Sequence, residues 1–437
     1  MAPDNRVRRR AFLGTVGAAF VGLAGCSGDS SPSENETRTG TSTDTATPTP
    51  TATPAPNGTD TETATPASRE PPSWFADQGE LYDDFALFDQ DWRVDAGTAT
   101  LVEEAGWLGR PGVRMETSER GLARIERKYW QPVDFSGREF SIAVTFEATS
   151  ESAAPVTVQL QDIDGNEMNY TDEVPSEATG EWVRIDAGTN EADRIDLSQL
   201  THVRVQHYAR DGKESTLVVS DMRTHAKRET GAVVFAFEDD HEKIVTVAAP
   251  VLNDAGYPAG VFASPDRIGR KVSVEDYRAL VDQGWEVGVS PTGHADLSSL
   301  DDERAAVEEA IAQLESKGFT GALNVYRPTH GSYTATTLGY APELFDTTFT
   351  GVGRAAGSNS RLSDTRTVLS LDADNLQKAS EAVEAAATHR QTAVLVFHAR
   401  HMDGQEGFAE LVDRVATLES EGSLDVLTPT ELAERSG

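Results

Sequence analysis

Four apolar runs of this chain end in groups that can move a proton or hold a cation. Residues 232–241 read AVVFAFEDDH, so Glu238, Asp239, Asp240 and His241 follow an apolar run directly. Three adjacent carboxylates repel one another unless water, a proton or a metal relieves them. Downstream, GVSPTGH sets Ser290 and His294 after a second run, RPTHG sets Arg327, His330 and Gly331 after a third, and AVLVFH ends in His398. Carboxylates, imidazoles and a guanidinium that converge on one place suit two chemistries: holding a divalent cation, or acid–base work on a polarised carbonyl. A single such histidine would read as a core or surface residue, but several at strand ends point to a site.

Convergence requires elements that bring those ends together. From Gly231 the pattern alternates strand and helix. Candidate strands are AVVFAF, AGVFAS, WEVGV, ALNVYR, TTFTGV, TVLSL and TAVLVFH, with helical stretches such as DDERAAVEEAIAQLESKG and QEGFAELVDRVATLESEG between most of them. The closing TPTE reads as a capping box with Pro429 at the first helical position. Such alternation over about 200 residues predicts a parallel barrel or open sheet, and a barrel carries its chemistry at the C-terminal ends of its strands. The charged and imidazole groups above fall at those ends.

Over residues 231–437 these motifs resemble the NodB-homology polysaccharide deacetylases, carbohydrate esterase family four, whose domain is a distorted (β/α)7 barrel. Phe237, Glu238, Asp239 and Asp240 stand where the family has Phe-Asp-Asp-Gly, residues 288–294 where it has Gly-Ser-His-Thr-x-x-His, residues 327–331 where it has Arg-Pro-Pro-aromatic-Gly, and His398 at its terminal histidine. The resemblance implies Glu238 as catalytic base, oriented by Arg327, and His398 as general acid. It implies an oxyanion donor in the backbone around His330 and Gly331, and a divalent cation, zinc by its usual ligands, on Asp239 and His294. Two places differ: Glu238 replaces an aspartate, and Ser290 replaces the first metal histidine. His241, His330 and Asp240 are the nearby groups able to substitute as ligands, and His401 lies one loop step past His398. The family's Asp-Trp element near the sixth strand has no counterpart, because no tryptophan follows Trp285.

The remaining chain reads differently. RRRAFLGTVGAAFVGLAGC resembles a twin-arginine signal with a lipobox, so residues 1–26 are expected to direct export and Cys26, the only cysteine, to carry a lipid. Residues 27–73 are a Thr- and Pro-rich tether with little to bury. Between 74 and 228 the period changes to two, which predicts an antiparallel β-sandwich. It resembles the jelly-roll, galactose-binding-like modules that accompany carbohydrate enzymes. Trp74, Trp92, Trp107, Trp130 and Trp182 fall in it, as core or as platforms for sugar rings.

Asp and Glu number 72 against 38 Lys and Arg, a net charge of −34, which excludes nucleic acid as an expected partner. An acidic, lysine-poor surface resembles that of proteins from salt-loving archaea, where high ionic strength screens self-repulsion. The whole is expected to be a lipoprotein on the outer face of the cell membrane, with a glycan as partner and removal of N- or O-acetyl groups as its reaction. The competing expectation is a noncatalytic glycan-binding protein with a degenerate barrel.

Overall fold

The protein is described here as a computed structural model, whose described residues are 70–75, 77–189, 195–210, 213–351, 357–402 and 406–436. The leader, Cys26, the tether up to residue 69 and the side chain of His294 lie outside the described residues.

Period-two sequences pack as two antiparallel sheets. One runs in the order Thr98–Val102, Gly112–Glu116, Ser215–Ala226, Arg138–Thr149, Val183–Ile185, with Glu80–Asp83 also pairing Ser215–Ala226. The other runs Trp92–Ala96, Leu122–Val133, Leu200–Tyr208, Ala153–Asp162, Glu167–Pro175. Alternation sends Val203 and Val205 into the core. Between them Arg204 faces outward, bonded to Glu126, Gln159, Gln161 and Glu167. A one-residue slip would exchange these faces, so burial fixes the register. Trp74, Trp92 and Trp107 are buried, whereas Trp130 is 94% exposed.

The seven strands after Gly231 close into a ring. They are Gly231–Phe237, Gly260–Val261, Glu286–Val289, Ala322–Tyr326, Thr347–Thr350, Val368–Asp372 and Thr392–Phe397, all parallel, and Thr392–Phe397 pairs back to Gly231–Phe237. An eighth short strand, Leu424–Val426, adds to the first. The first strand is buried on both faces because two layers cover it. Val233, Phe235 and Phe237 pack on the helices, and Val234 and Ala236 fill the barrel with Phe262, Phe349 and Val394. Gly288 is required by this filling: a Cβ there would lie 2.3 Å from the Phe262 ring. The last helix, Pro429–Ser436, begins with a reciprocal cap in which Glu431 N–H donates to the Thr428 hydroxyl and Thr428 N–H to the Glu431 carboxylate.

Sandwich and barrel form one compact unit, joined by a polar seam. Residues 358–366, between the fifth and sixth ring strands, are mostly buried. Ser363 N–H, the Ser363 hydroxyl and Asp364 N–H donate to Asp186, and Ser360 and Arg361 N–H donate to Glu139. Arg184, fully buried, donates to Asp221 and Ser141 and stacks 4.4 Å from the Phe75 ring. Each bond to a charged partner contributes on the order of 1.5–3 kcal/mol relative to its absence, so the seam holds the barrel rigidly to the sandwich.

Candidate active site

Glu238 is the first residue past the first ring strand, anchored by its N–H to Phe397 O at 3.1 Å. Its side chain is wholly buried, and three donors hold it. Arg327, the residue after Ala322–Tyr326, donates from Nε and Nη2 to Oε2 at 3.0 and 2.7 Å, and the His330 backbone N–H donates to Oε1 at 2.8 Å. Burial alone would raise the carboxyl's pKa; the Arg327 charge, the His330 N–H and the Arg327 hydrogen bonds outweigh it and leave it below the ordinary glutamate range. Arg327 is fixed in turn, with Nη1 donating to Ser370 Oγ at 2.7 Å. The His330 N–H reaches Glu238 because the turn at Thr329–Gly331 has left-handed backbone, φ 56° at His330 and 67° at Gly331.

His398 follows the last ring strand. Asp374 holds it twice: Oδ1 accepts the His398 backbone N–H at 2.8 Å, and Oδ2 lies 3.1 Å from Nδ1. This contact raises the imidazole pKa, burial opposes it, and the Glu238 charge adds to the rise. With Nδ1 turned to Asp374, Nε2 points at Glu238 Oε2, 3.8 Å away, and has no hydrogen-bond partner among the described residues. Burial raises the Asp374 carboxyl, but the hydrogen bonds from His398 and His401 bring it down to about 2. Asp374 is the functional residue that the sequence reading missed. It sits two positions past the end of Val368–Asp372, just before the Asn375 helix cap, so an acid at a strand's C-terminal end was the available signal.

These groups line one cleft of about 470 Å³, which Glu238, Arg327, His330, Asp374, Lys378 and His398 share. The other sequence-predicted residues stand around it in different ways. Asp239 accepts backbone N–H groups from Ala399 and Arg400 at 2.8 and 3.1 Å and so anchors the loop that carries His398. Asp240 accepts from Lys271 N–H, Val272 N–H and the Tyr277 hydroxyl. His241 Nδ1 accepts the Lys243 N–H. Gly331 N–H donates to Pro328 O, within the turn that presents His330. His401 lies outside the cleft, its Nδ1 2.6 Å from Asp374.

A cation on Asp239 and His294 needs a third strong ligand, since catalytic zinc sites ordinarily have three from the protein. Ser290 occupies the remaining position, fully buried, its hydroxyl without a hydrogen-bond partner among the described residues; a serine hydroxyl is a weak ligand. Each Asp239 oxygen accepts one N–H group, and the Arg400 guanidinium stands 3.9 Å away. Groups of metal-ligand type gather elsewhere, as Glu238 with His330 and His398 and as Asp374 with His398 and His401. Among the described residues, the donors at Asp239 therefore do not make up a three-ligand centre.

The family profile described as Polysaccharide deacetylase matches residues 225–345. No curated protein sequence matches the chain significantly. Among solved structures it is similar to a family 4 carbohydrate esterase from Streptomyces lividans in complex with acetate, 17% identical, over 46% of this chain and 94% of that one, with a TM-score of 0.33. A family 4 carbohydrate esterase from Bacillus anthracis is 18% identical over 47% of this chain and 84% of its own, TM-score 0.34. An exo-beta-agarase is 10% identical over 34% of this chain, which spans only 25% of that enzyme, TM-score 0.28.

Proposed function

Because the polysaccharide deacetylase profile matches residues 225–345, we propose that the protein is a cell-surface hydrolase that removes N- or O-acetyl groups from a glycan. The observation that carries this reading is the Glu238, Arg327, His398 and Asp374 constellation within one cleft. Glu238, kept ionised by Arg327, takes a proton from the attacking water as the water's oxygen bonds the acetyl carbon. His398, whose imidazolium Asp374 favours, gives a proton to the departing nitrogen or oxygen as its bond to that carbon breaks. No step is assigned to a metal on Asp239.

Export and a lipid on Cys26 would hold the barrel at the outer membrane face, and the sandwich, with Trp130 exposed, would add glycan contact. A second reading, glycan binding without turnover, is favoured by one observation: the Glu238 carboxylate is already held by three N–H donors. Acetate release from acetylated oligosaccharides, measured on the full chain in multimolar salt, separates the two. Hydrolysis requires release by the wild type and its loss in Glu238→Gln. Retention on a glycan array with no acetate from any substrate establishes the second reading.

A further inference from the structure

We propose that the cleft binds one divalent cation of the zinc class between Glu238, His330 and His398, a group that does not include Asp239. One ligand atom from each of the three residues lies within 4.8 Å of the others. Glu238 Oε1 is 3.9 Å from His330 Nδ1, and Oε2 is 3.8 Å from His398 Nε2. Two ligands at about 2.1 Å from a tetrahedral zinc are about 3.4 Å apart, so the Oε1–His330 pair must close by roughly half an ångström. The His330 side chain is 65% exposed. Two imidazoles and one carboxylate are a donor set that first-row divalent ions accept.

An independent observation points to a ligand at this place. His398 is 8% exposed, and its Nε2 is buried without a hydrogen-bond partner among the described residues. A buried polar atom left so is unfavourable until a ligand meets it. Asp374 on Nδ1 directs the Nε2 lone pair into the cleft, as the carboxylate behind a metal-bound histidine does. Charge agrees: Glu238, Asp372 and Asp374 line the cleft against Arg327 and Lys378. Arg327 engages Oε2, and Oε1 accepts only the His330 N–H, so a carboxylate lone pair remains there. The neighbouring Asp374, His398 and His401 group is different, because Asp374 already hydrogen-bonds both rings.

On the hydrolase reading, a cation here also acts as a brake, since Nε2 cannot bind metal and deliver a proton at once. The binding claim stands apart from that reading. The test titrates Zn2+ calorimetrically, and Co2+ by its visible absorption, into chelator-treated full-length protein and its His330→Ala, His398→Ala and His294→Ala variants, with folding checked by circular dichroism. Expected is one ion per chain, with affinity reduced by about tenfold or more in His330→Ala and His398→Ala and unchanged in His294→Ala. Absence of stoichiometric binding, or binding lost in His294→Ala and kept in the other two, overturns the site. Acetate release without cation binding would sink this inference and leave the hydrolase reading standing; cation binding, with no acetate released by the chelator-treated protein, does the reverse.

Discussion

Shortening Glu238 to aspartate should make the barrel less stable and a faster hydrolase. One methylene withdraws the carboxylate by about 1.5 Å, the length of one carbon–carbon bond. The wild-type side chain spans Arg327, at 3.0 and 2.7 Å, and the His330 N–H, at 2.8 Å; an aspartate cannot hold both. The Arg327 pair is the one it keeps, because that guanidinium is 5% exposed and an uncompensated buried charge costs about 3–5 kcal/mol. The His330 N–H is then released, with a loss of roughly 1.5–3 kcal/mol for a bond to a charged acceptor. That N–H is the donor which the family resemblance assigns to the oxyanion, and one such donor is worth about 10²–10³ in rate. The withdrawn carboxylate remains within reach of a substrate through one water, so it still serves as base. Glu238→Asp should therefore raise acetate release by about a hundredfold while its denaturant midpoint falls. The assay is acetate produced from acetylated chitin and xylan oligomers at equal folded concentration. A variant that loses the expected stability yet hydrolyses no faster would refute the idea that Glu238 blocks this donor.

Three further outcomes follow from other parts of the structure. Glu139 is buried in the seam, and burial first of all raises its carboxyl to about 7; the unfolded carboxyl ionises near the ordinary 4.5, so wild-type stability should fall as pH rises from about 4.5 to about 7, and Glu139→Gln should flatten that slope in urea midpoints. Asp186→Ala removes the acceptor for Ser363 N–H, the Ser363 hydroxyl and Asp364 N–H; at about 1–3 kcal/mol for each orphaned buried group, thermal unfolding should shift down by several degrees or lose cooperativity between sandwich and barrel. Cys26→Ser should move the folded protein from the membrane fraction to the medium, and unchanged membrane association of a processed chain would remove the lipid-anchor reading.

What the sequence disclosed and what it hid follow from the range of the interactions concerned. The ring strands were legible because burial on both faces leaves an uninterrupted apolar run, as in AVVFAF, and because helical periodicity separates the runs. Their charged ends were legible for the same reason: Glu238 stands out after six apolar neighbours and His398 after five. The seam was not legible. RLSDTR at 361–366 has the composition of an exposed loop, yet its backbone donors meet Glu139 and Asp186 from more than 170 residues away. No local pattern encodes such partners. The aromatic residues mislead in the opposite direction, since Trp74 and Trp107, with ring centroids 5.2 Å apart, pack against each other in the interior.

The cleft shows where reading by residue type must stop. Asp374 has no tryptophan after it, so the family's Asp-Trp pattern does not mark it, although its position at a strand's C-terminal end carries the same information. Hydrogen-bond occupancy is a separate matter. Glu238 and Asp239 are adjacent acids with the same charge, but one is held by a guanidinium and a turn N–H from the fourth ring strand, the other by two N–H groups that follow the seventh. That difference fixes their chemistry: Glu238 faces the cleft and the unpartnered nitrogen of His398, while Asp239 holds the loop that presents that nitrogen. Removing Asp239 should thus disturb the site through the position of His398, whereas removing Glu238 takes away the carboxylate that faces the cleft.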